Sequence, residues 1–272
     1  MKRISKILLV IGGIVLVVGV GGMLYWRNLN QVTSPMIADI PFATVINEHG
    51  EEETLKLDIY FPEKATDELR PAIIWFHGGG FQPPMDKQQI YIKWLADEFA
   101  QRGYICISPD YRLRKNPLDD LSGTVADAAQ DGRLALDWIF QHAEEYGIDT
   151  AHMALGGGSA GGILLINMVH DPKTPIDTED GIFAIIDLWG TPASDSALYS
   201  EIYPHSPPTL IIHGTEDKFV PFENSQVYQS QLEAVGIPVE LVVFEGDGHT
   251  PINRMEEIIS AVERFLQDHL EE

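Results

Sequence analysis

The sequence predicts an α/β fold, with one mostly parallel sheet of about eight strands and helices on both faces. Three observations carry this expectation. From residue 72 onward, short apolar runs alternate with longer stretches of helical periodicity. The runs are rich in Ile, Val, Leu and Ala with few polar interruptions, as strands covered on both faces require. Ahead of them, two strand-like runs flank "GEE", and in the second Leu55, Leu57, Ile59 and Phe61 alternate with polar residues. That period of two marks a half-buried antiparallel strand.

In chain order, residues 1–26 open with the basic "MKRISK" and continue with eighteen uncharged residues at 7–24. As a helix that run would span roughly 27 Å, close to the thickness of a hydrocarbon core. The expectation is one N-terminal transmembrane helix acting as an uncleaved signal anchor, with a cleaved signal peptide and a secreted product as the alternative. Lys2, Arg3 and Lys6 precede the apolar run and only Arg27 closely follows it, which places the remainder outside the cytoplasm. Residues 27–40 read as a polar linker without periodicity. A single domain is expected over 41–272. Its first two strands are "FATVINEH" (42–49) and "ETLKLDIYF" (53–61), extending one edge of the sheet. The strands "AIIWF" (72–76), "YICIS" (104–108), "AHMAL" (151–155), "IFAIID" (182–187), "TLIIH" (209–213) and "VELVVF" (239–244) follow. Helical segments are expected at about 87–102, 124–146, 160–170, 223–236 and 254–270.

Composition bounds the function. Apolar residues make up 44% and charged residues 22%, which is ordinary for a globular protein. The first thirty residues hold four basic groups and no acidic one, so the formal charge of −23 for the chain becomes −27 for the rest. Such a surface repels nucleic acid and anionic lipid, so any membrane attachment falls to the N-terminal helix. The single cysteine, Cys106, lies in a strand and is expected to be a buried, inert thiol. No His/Cys/Glu cluster has metal-ligand spacing, and neither a metal nor a cofactor is expected.

Functional groups in a parallel sheet gather just past the carboxyl ends of its strands. Four stretches satisfy this: "HGGGF" (77–81), "GGGSAGG" (156–162), "HGTEDKFVP" (213–221) and "EGDGHTP" (245–251). "GGGSAGG" fits both the dinucleotide loop G-x-G-x-x-G and the nucleophile turn G-x-S-x-G. A dinucleotide loop belongs to the first strand–helix unit of its sheet, with an acidic residue about twenty positions on. Here the glycines follow a later strand, and Asp177 and Asp180 fall in a loop. The nucleophile turn finds its companions instead. A serine hydroxyl needs a base to take its proton, and Ser159, Asp217 and His249 follow strands in the order Ser, acid, His. An oxyanion needs fixed donors, for which the N–H groups of Gly79, Gly80 and Ala160 are the candidates.

Together, "HGGGF", "SPDYRL", "GGGSAGG", "HGTEDKFVP" and "GDGH" resemble the α/β-hydrolase superfamily, in particular its hormone-sensitive-lipase-like and feruloyl-esterase-like carboxylesterases. The resemblance covers about residues 50–270. It implies an α/β-hydrolase fold and a cofactor-free serine hydrolase acting on small carboxylic esters, with Ser159 as nucleophile, His249 as base and Asp217 as its orienting acid. It also implies the oxyanion role for the "HGGGF" loop. Only about twenty residues separate "IFAIIDLWG" from "TLIIHG", so the cap is minimal and an open site is expected. A prolyl-oligopeptidase-like peptidase is the alternative, disfavoured because the sequence carries no long N-terminal propeller. A non-catalytic binding protein of the same fold is disfavoured because no member of the triad is missing.

Other residues have blander readings. Glu216 and Asp247 are rivals of Asp217, which its position after the strand favours. His77 and His213 read as loop braces, and the remaining histidines have no motif. Asp110 and Arg112 are expected to pair with each other near the site. Tyr111 has no assigned role, and Trp189 either lines an acyl pocket or packs in the core. Neither the natural ester nor the oligomeric state is legible.

Overall fold

In the computed structural model, the residues described are 32–192 and 201–270. Eight strands, β1 (Met36–Ile46), β2 (Glu52–Tyr60), β3 (Arg70–Phe76), β4 (Ile105–Pro109), β5 (Ile148–Gly158), β6 (Ile182–Leu188), β7 (Thr209–Gly214) and β8 (Val239–Phe244), form one sheet. Their spatial order is β1-β2-β4-β3-β5-β6-β7-β8. β3 to β8 run parallel, while β1 and β2 form an antiparallel edge. The helices between them are α1 (Ile90–Gln101), α2 (Leu121–Tyr146), α3 (Ala160–Val169), α4 (Phe222–Ala234) and α5 (Met255–Leu270).

The apolar runs become strands buried on both faces because successive side chains point to opposite sides of the pleat. In β3, Ala72, Ile74 and Phe76 join one core cluster with Val125, Ala128 and Ile139 of α2 and with Leu164, Leu165 and Met168 of α3. Trp75, one residue out of phase, instead meets Phe99 of α1 at 5.8 Å between ring centroids. One strand thus packs against helices on opposite sides. Cys106 in β4 is fully buried, and burial pushes its thiol pKa up, away from thiolate chemistry.

β1 opens at Met36, inside the stretch read from sequence as a linker. Its pairing with β2 shifts register between Ile37 and Ile40 and again between Pro41 and Ala43. Asp39 there has a φ of 59°. Bulges of this kind erase the period-two pattern, and proline is tolerated because β1 is an edge strand. Among the described residues no helix is long and apolar enough to cross a membrane. The helix expected over 1–26 falls outside the described residues.

Because β3, β5, β7 and β8 are parallel, their carboxyl ends open on the same edge of the sheet. The four motif loops follow those strands. Residues 189–208 are all that lies between β6 and β7.

Candidate active site

Ser159 stands between β5 and α3 with φ 54° and ψ −120°. A side chain is uncommon in that region, and holding one there costs on the order of 1–3 kcal/mol. The surroundings impose it. The Ser159 N–H donates to the Leu188 carbonyl at 2.9 Å, and its own carbonyl accepts from Ile163 as α3 begins. The flanking glycines are steric requirements of the same turn. A Cβ on Gly157 would collide with the backbone of Gly161, and one on Gly161 with the carbonyls of Phe76 and His77. The strand can reverse into the helix only with bare backbone at these two positions.

The structure brings Ser159, His249 and Asp217 together across 90 and 32 positions of sequence. His249 Nε2 lies 2.8 Å from Ser159 Oγ, and His249 Nδ1 lies 2.6 Å from Asp217 Oδ2. The Asp217 side chain has no solvent exposure. Burial alone would raise its pKa, but bonds from His249 and from the N–H groups of Val220 and Phe219 outweigh it and hold the carboxyl below its usual range. Asp217 is therefore ionised, and Nδ1 of His249 carries the proton that faces it. That tautomer leaves Nε2 free to accept from the serine hydroxyl.

The rival acids serve elsewhere. Asp247 pairs with Arg254 at 2.9 Å, and Glu216 is exposed. His213 lies against the other side of Asp217, with Nε2 3.1 Å from Asp217 Oδ2 and 3.0 Å from the Val220 carbonyl. It braces the loop that carries the acid. Burial lowers the His213 pKa against the pull of these acceptors.

Gly79, Gly80 and Ala160 line the same cavity as Ser159 and His249. Within the described hydrogen-bond network the N–H groups of all three make no internal bond, which for Ala160 follows from its place at the first turn of α3. Gly79 and Gly80 take φ angles of 107° and 64°, open to glycine and strained for other residues. The loop is held from behind. His77 Nδ1 lies 2.8 Å from the Gly78 carbonyl, the Tyr111 hydroxyl donates to the His77 carbonyl at 2.6 Å, and the two rings stack at 4.2 Å. Burial lowers the His77 pKa to about 4, so the ring is neutral and its Nδ1–H donates.

Sequence reasoning missed several supports. Gln89 Oε1 accepts the Gly78 N–H at 2.7 Å. Lys87, almost fully buried, lies between Asp39 (3.0 Å), Asp110 (3.4 Å) and Asp58 (3.7 Å). Burial lowers its affinity for the proton, but the three carboxylates outweigh that and keep it charged. Nothing in "PPMDKQQ" signals a buried lysine. The expected Asp110–Arg112 pair is not formed. Arg112 turns to the fully buried Asp131, meeting it at 2.8 Å, while Asp110 pairs with Lys87. A carboxylate without solvent needs a cation more than a partly exposed one does, and Arg supplies several donors in one plane.

The cavity holds about 620 Å³. Its walls include Phe81, Tyr91, Leu118, Leu121, Ile163 and Phe219, with Leu118 and Phe219 about four-fifths exposed at the rim. Trp189 is fully buried, packs edge-on against Tyr91 at 5.7 Å and does not line the cavity. Packing is its role here.

Known proteins share this fold. The family model described as BD-FAE matches residues 57–184, and that of the prolyl oligopeptidase family matches residues 169–272. The chain is 20% identical to an isoprenylcysteine alpha-carbonyl methylesterase of Arabidopsis thaliana over 82% of its own length and 57% of that protein's. It is 24% identical to acylamino-acid-releasing enzyme 1 of Oryza sativa over 78% of its length and 32% of that protein's. It thus spans between about a third and somewhat over half of these curated relatives. Among solved structures, esterase 2 of Thermogutta terrifontis phosphorylated by paraoxon superposes with a TM-score of 0.69 at 26% identity, covering 88% of this chain and 95% of that one. The butyrate-bound form of that esterase gives a TM-score of 0.66 at 27% identity, covering 84% and 94%.

Proposed function

We propose that this chain is a serine hydrolase of the α/β-hydrolase superfamily that cleaves small carboxylic esters through an acyl-enzyme on Ser159. The observation that carries the reading is the relay from Asp217 through His249 to Ser159 Oγ, with contacts of 2.6 and 2.8 Å.

Ser159 Oγ attacks the ester carbonyl carbon as its proton passes to His249 Nε2. Asp217 holds Nδ1–H in place and stabilises the imidazolium that forms. The carbonyl oxygen, now negative, is received by the N–H groups of Gly79, Gly80 and Ala160, each such donor contributing on the order of a hundredfold or more in rate. Collapse breaks the bond to the alcohol oxygen, which takes the proton from His249. Water then gives a proton to the same nitrogen and attacks the acyl carbon, and the acid leaves with Ser159 restored.

The apolar walls suit an acyl or aryl group, and esterase 2 of Thermogutta terrifontis has been solved with butyrate bound, with propionate bound and phosphorylated by paraoxon. By extension, paraoxon is expected to phosphorylate Ser159 here. Turnover of p-nitrophenyl acetate and butyrate by the full-length chain tests the reading. Ser159→Ala is expected to lower kcat on the order of a millionfold, and equal rates in the two proteins would remove Ser159 from the mechanism.

A second reading has one observation in its favour, the prolyl oligopeptidase model over 169–272. Hydrolysis of aminoacyl arylamides faster than the matching esters would replace the esterase with a peptidase. The basic and apolar pattern of residues 1–26 supports a domain tethered outside the cytoplasmic membrane. Full protection of the domain from external protease on spheroplasts would refute that topology.

A further inference from the structure

We propose that Asp187 works as a neutral carboxylic acid, and that the hydrogen-bond chain Asp187–Thr191–Ser225–His213, donating in one direction, positions Asp217. The proposal deepens the esterase reading and rests on it for the role of Asp217. Asp187 lies near the end of β6 and is fully buried. Its Oδ1 accepts the Gly190 N–H at 3.0 Å, and its Oδ2 meets Thr191 Oγ1 in a short contact. Thr191 Oγ1 lies 2.9 Å from Ser225 Oγ on α4, and Ser225 Oγ lies 2.7 Å from His213 Nδ1. His213 then reaches Asp217 through Nε2.

A proton count decides the direction. Nε2 of His213 faces a carboxylate oxygen and a backbone carbonyl, both acceptors, so Nε2 carries a hydrogen. In a neutral ring, Nδ1 then has none. Three contacts join Asp187 to Nδ1, each requires one proton, and the two hydroxyls hold only two. An ionised Asp187 beside a neutral His213 therefore leaves one buried contact with lone pairs facing each other, the costly unsatisfied case. The third proton belongs either on Asp187 or on Nδ1.

Placement on Nδ1 would make a fully buried imidazolium, which burial opposes. Placement on Asp187 removes a buried charge that has no cation beside it among the described residues. Gly162 of α3 lies beside this carboxyl, the buried face of α5 is apolar, its own turn presents Gly190 and Thr191, and His213 of β7 reaches it through Ser225 and Thr191. Desolvation accordingly raises the Asp187 pKa to about 7, against the bonds from Thr191 and Gly190. With the proton on Oδ2, each donor in the chain points toward Asp217. The same turn holds the nucleophile, since Leu188, next to Asp187, accepts the Ser159 N–H. One carboxylic acid thus steadies the serine's turn at one end and the acid's loop at the other.

Infrared difference spectroscopy of the full-length chain at pH 6, together with ester kinetics, tests this. Asp187→Asn should remove one protonated-carboxyl band, and Thr191→Val should shift that band upward by deleting its acceptor. Asp187→Ala should lower kcat roughly tenfold to a hundredfold with KM little changed, as for a misplaced catalytic group. Asp187→Asn should restore kcat, because its amide donates to Thr191 while its carbonyl still accepts from Gly190, and it should lack the fall in kcat expected of the wild type as Asp187 loses its proton above about pH 7. Asparagine as slow as alanine in a folded protein overturns the proposal. So does the absence of any Thr191-sensitive carboxyl band, a result available even if both Asp187 variants fail to fold. Absence of ester turnover in the wild type would defeat the esterase reading while leaving the infrared result standing.

Discussion

The end of β6 and the loop that follows β7 each carry an aspartate whose carboxyl is shut off from solvent, and the fold shifts the two pKa values in opposite directions. Asp217 receives two backbone N–H groups on Oδ1 and two imidazole N–H groups on Oδ2. Its pKa falls. Asp187 receives one backbone N–H and faces one hydroxyl, and its pKa rises to about 7. Burial penalises both anions, so what separates them is the number of donors the fold delivers to each. The comparison teaches that the hydrogen-bond company of an acid at a strand end decides whether it can serve as an anion. Position alone does not distinguish these two.

The harshest way to break the contrast is to remove charge where it is needed. Asp217→Asn presents a donor to one imidazole and permits the wrong His249 tautomer, and kcat is expected to fall on the order of ten-thousandfold with the fold intact by circular dichroism. Stability against pH sharpens the contrast next. A raised carboxyl pKa means that the folded chain keeps a proton which the unfolded chain has released, so Asp187 stabilises fully below about pH 4 and that contribution is lost as pH rises through about 7. Asp187→Asn should therefore be more stable than the wild type at pH 8 by up to about 4 kcal/mol, with the gain vanishing below pH 4, as read by chemical denaturation. Asp217 acts in the opposite sense, contributing above the normal carboxylate range and losing that contribution as pH falls below it.

Milder cuts locate the link between the two regions. Ser225→Ala leaves His213 Nδ1 and Thr191 Oγ1 without their shared partner, and should cost about 1–3 kcal/mol of unfolding free energy. The smallest effect is expected at Phe219. Its backbone N–H serves Asp217, which any residue can do, while its side chain is mostly exposed at the cavity rim. Phe219→Ala removes a ring that packs 5.3 Å from the His249 ring, and should lower kcat for acetyl esters at most a few-fold while raising KM for butyryl or aryl esters a few-fold, consistent with loss of roughly 1 kcal/mol of apolar contact.

Much of the site was legible in the chain. The glycines around Ser159 advertise a tight turn, and Gly157 has to clear the backbone of Gly161 four residues on, whereas the carbonyls that Gly161 has to clear belong to Phe76 and His77 in a distant strand. The acid and histidine announce themselves by following strands in a fixed order. The bracing role read for His77 and His213 also rested on local position. The errors share a cause. Local sequence pairs Arg112 with its neighbour Asp110, whereas the fold supplies Asp131, nineteen residues away and more in need of a cation. The first strand begins at Met36, ahead of the alternating pattern, because bulges at Ile37–Ile40 and Pro41–Ala43 remove the alternation that marks a strand.

The sequence by itself determined the strand–helix alternation, the edge at which the motif loops gather and the glycine-flanked turn that presents Ser159. Those features follow from periodicity and backbone sterics, which act between near neighbours. Tertiary structure alone decided that Lys87 is buried among three carboxylates, that Trp189 packs behind the cavity instead of lining it, and that Asp217 and Asp187 differ in pKa. Each of these depends on desolvation and on donors counted across elements far apart in the chain, and no pattern of neighbours encodes that sum.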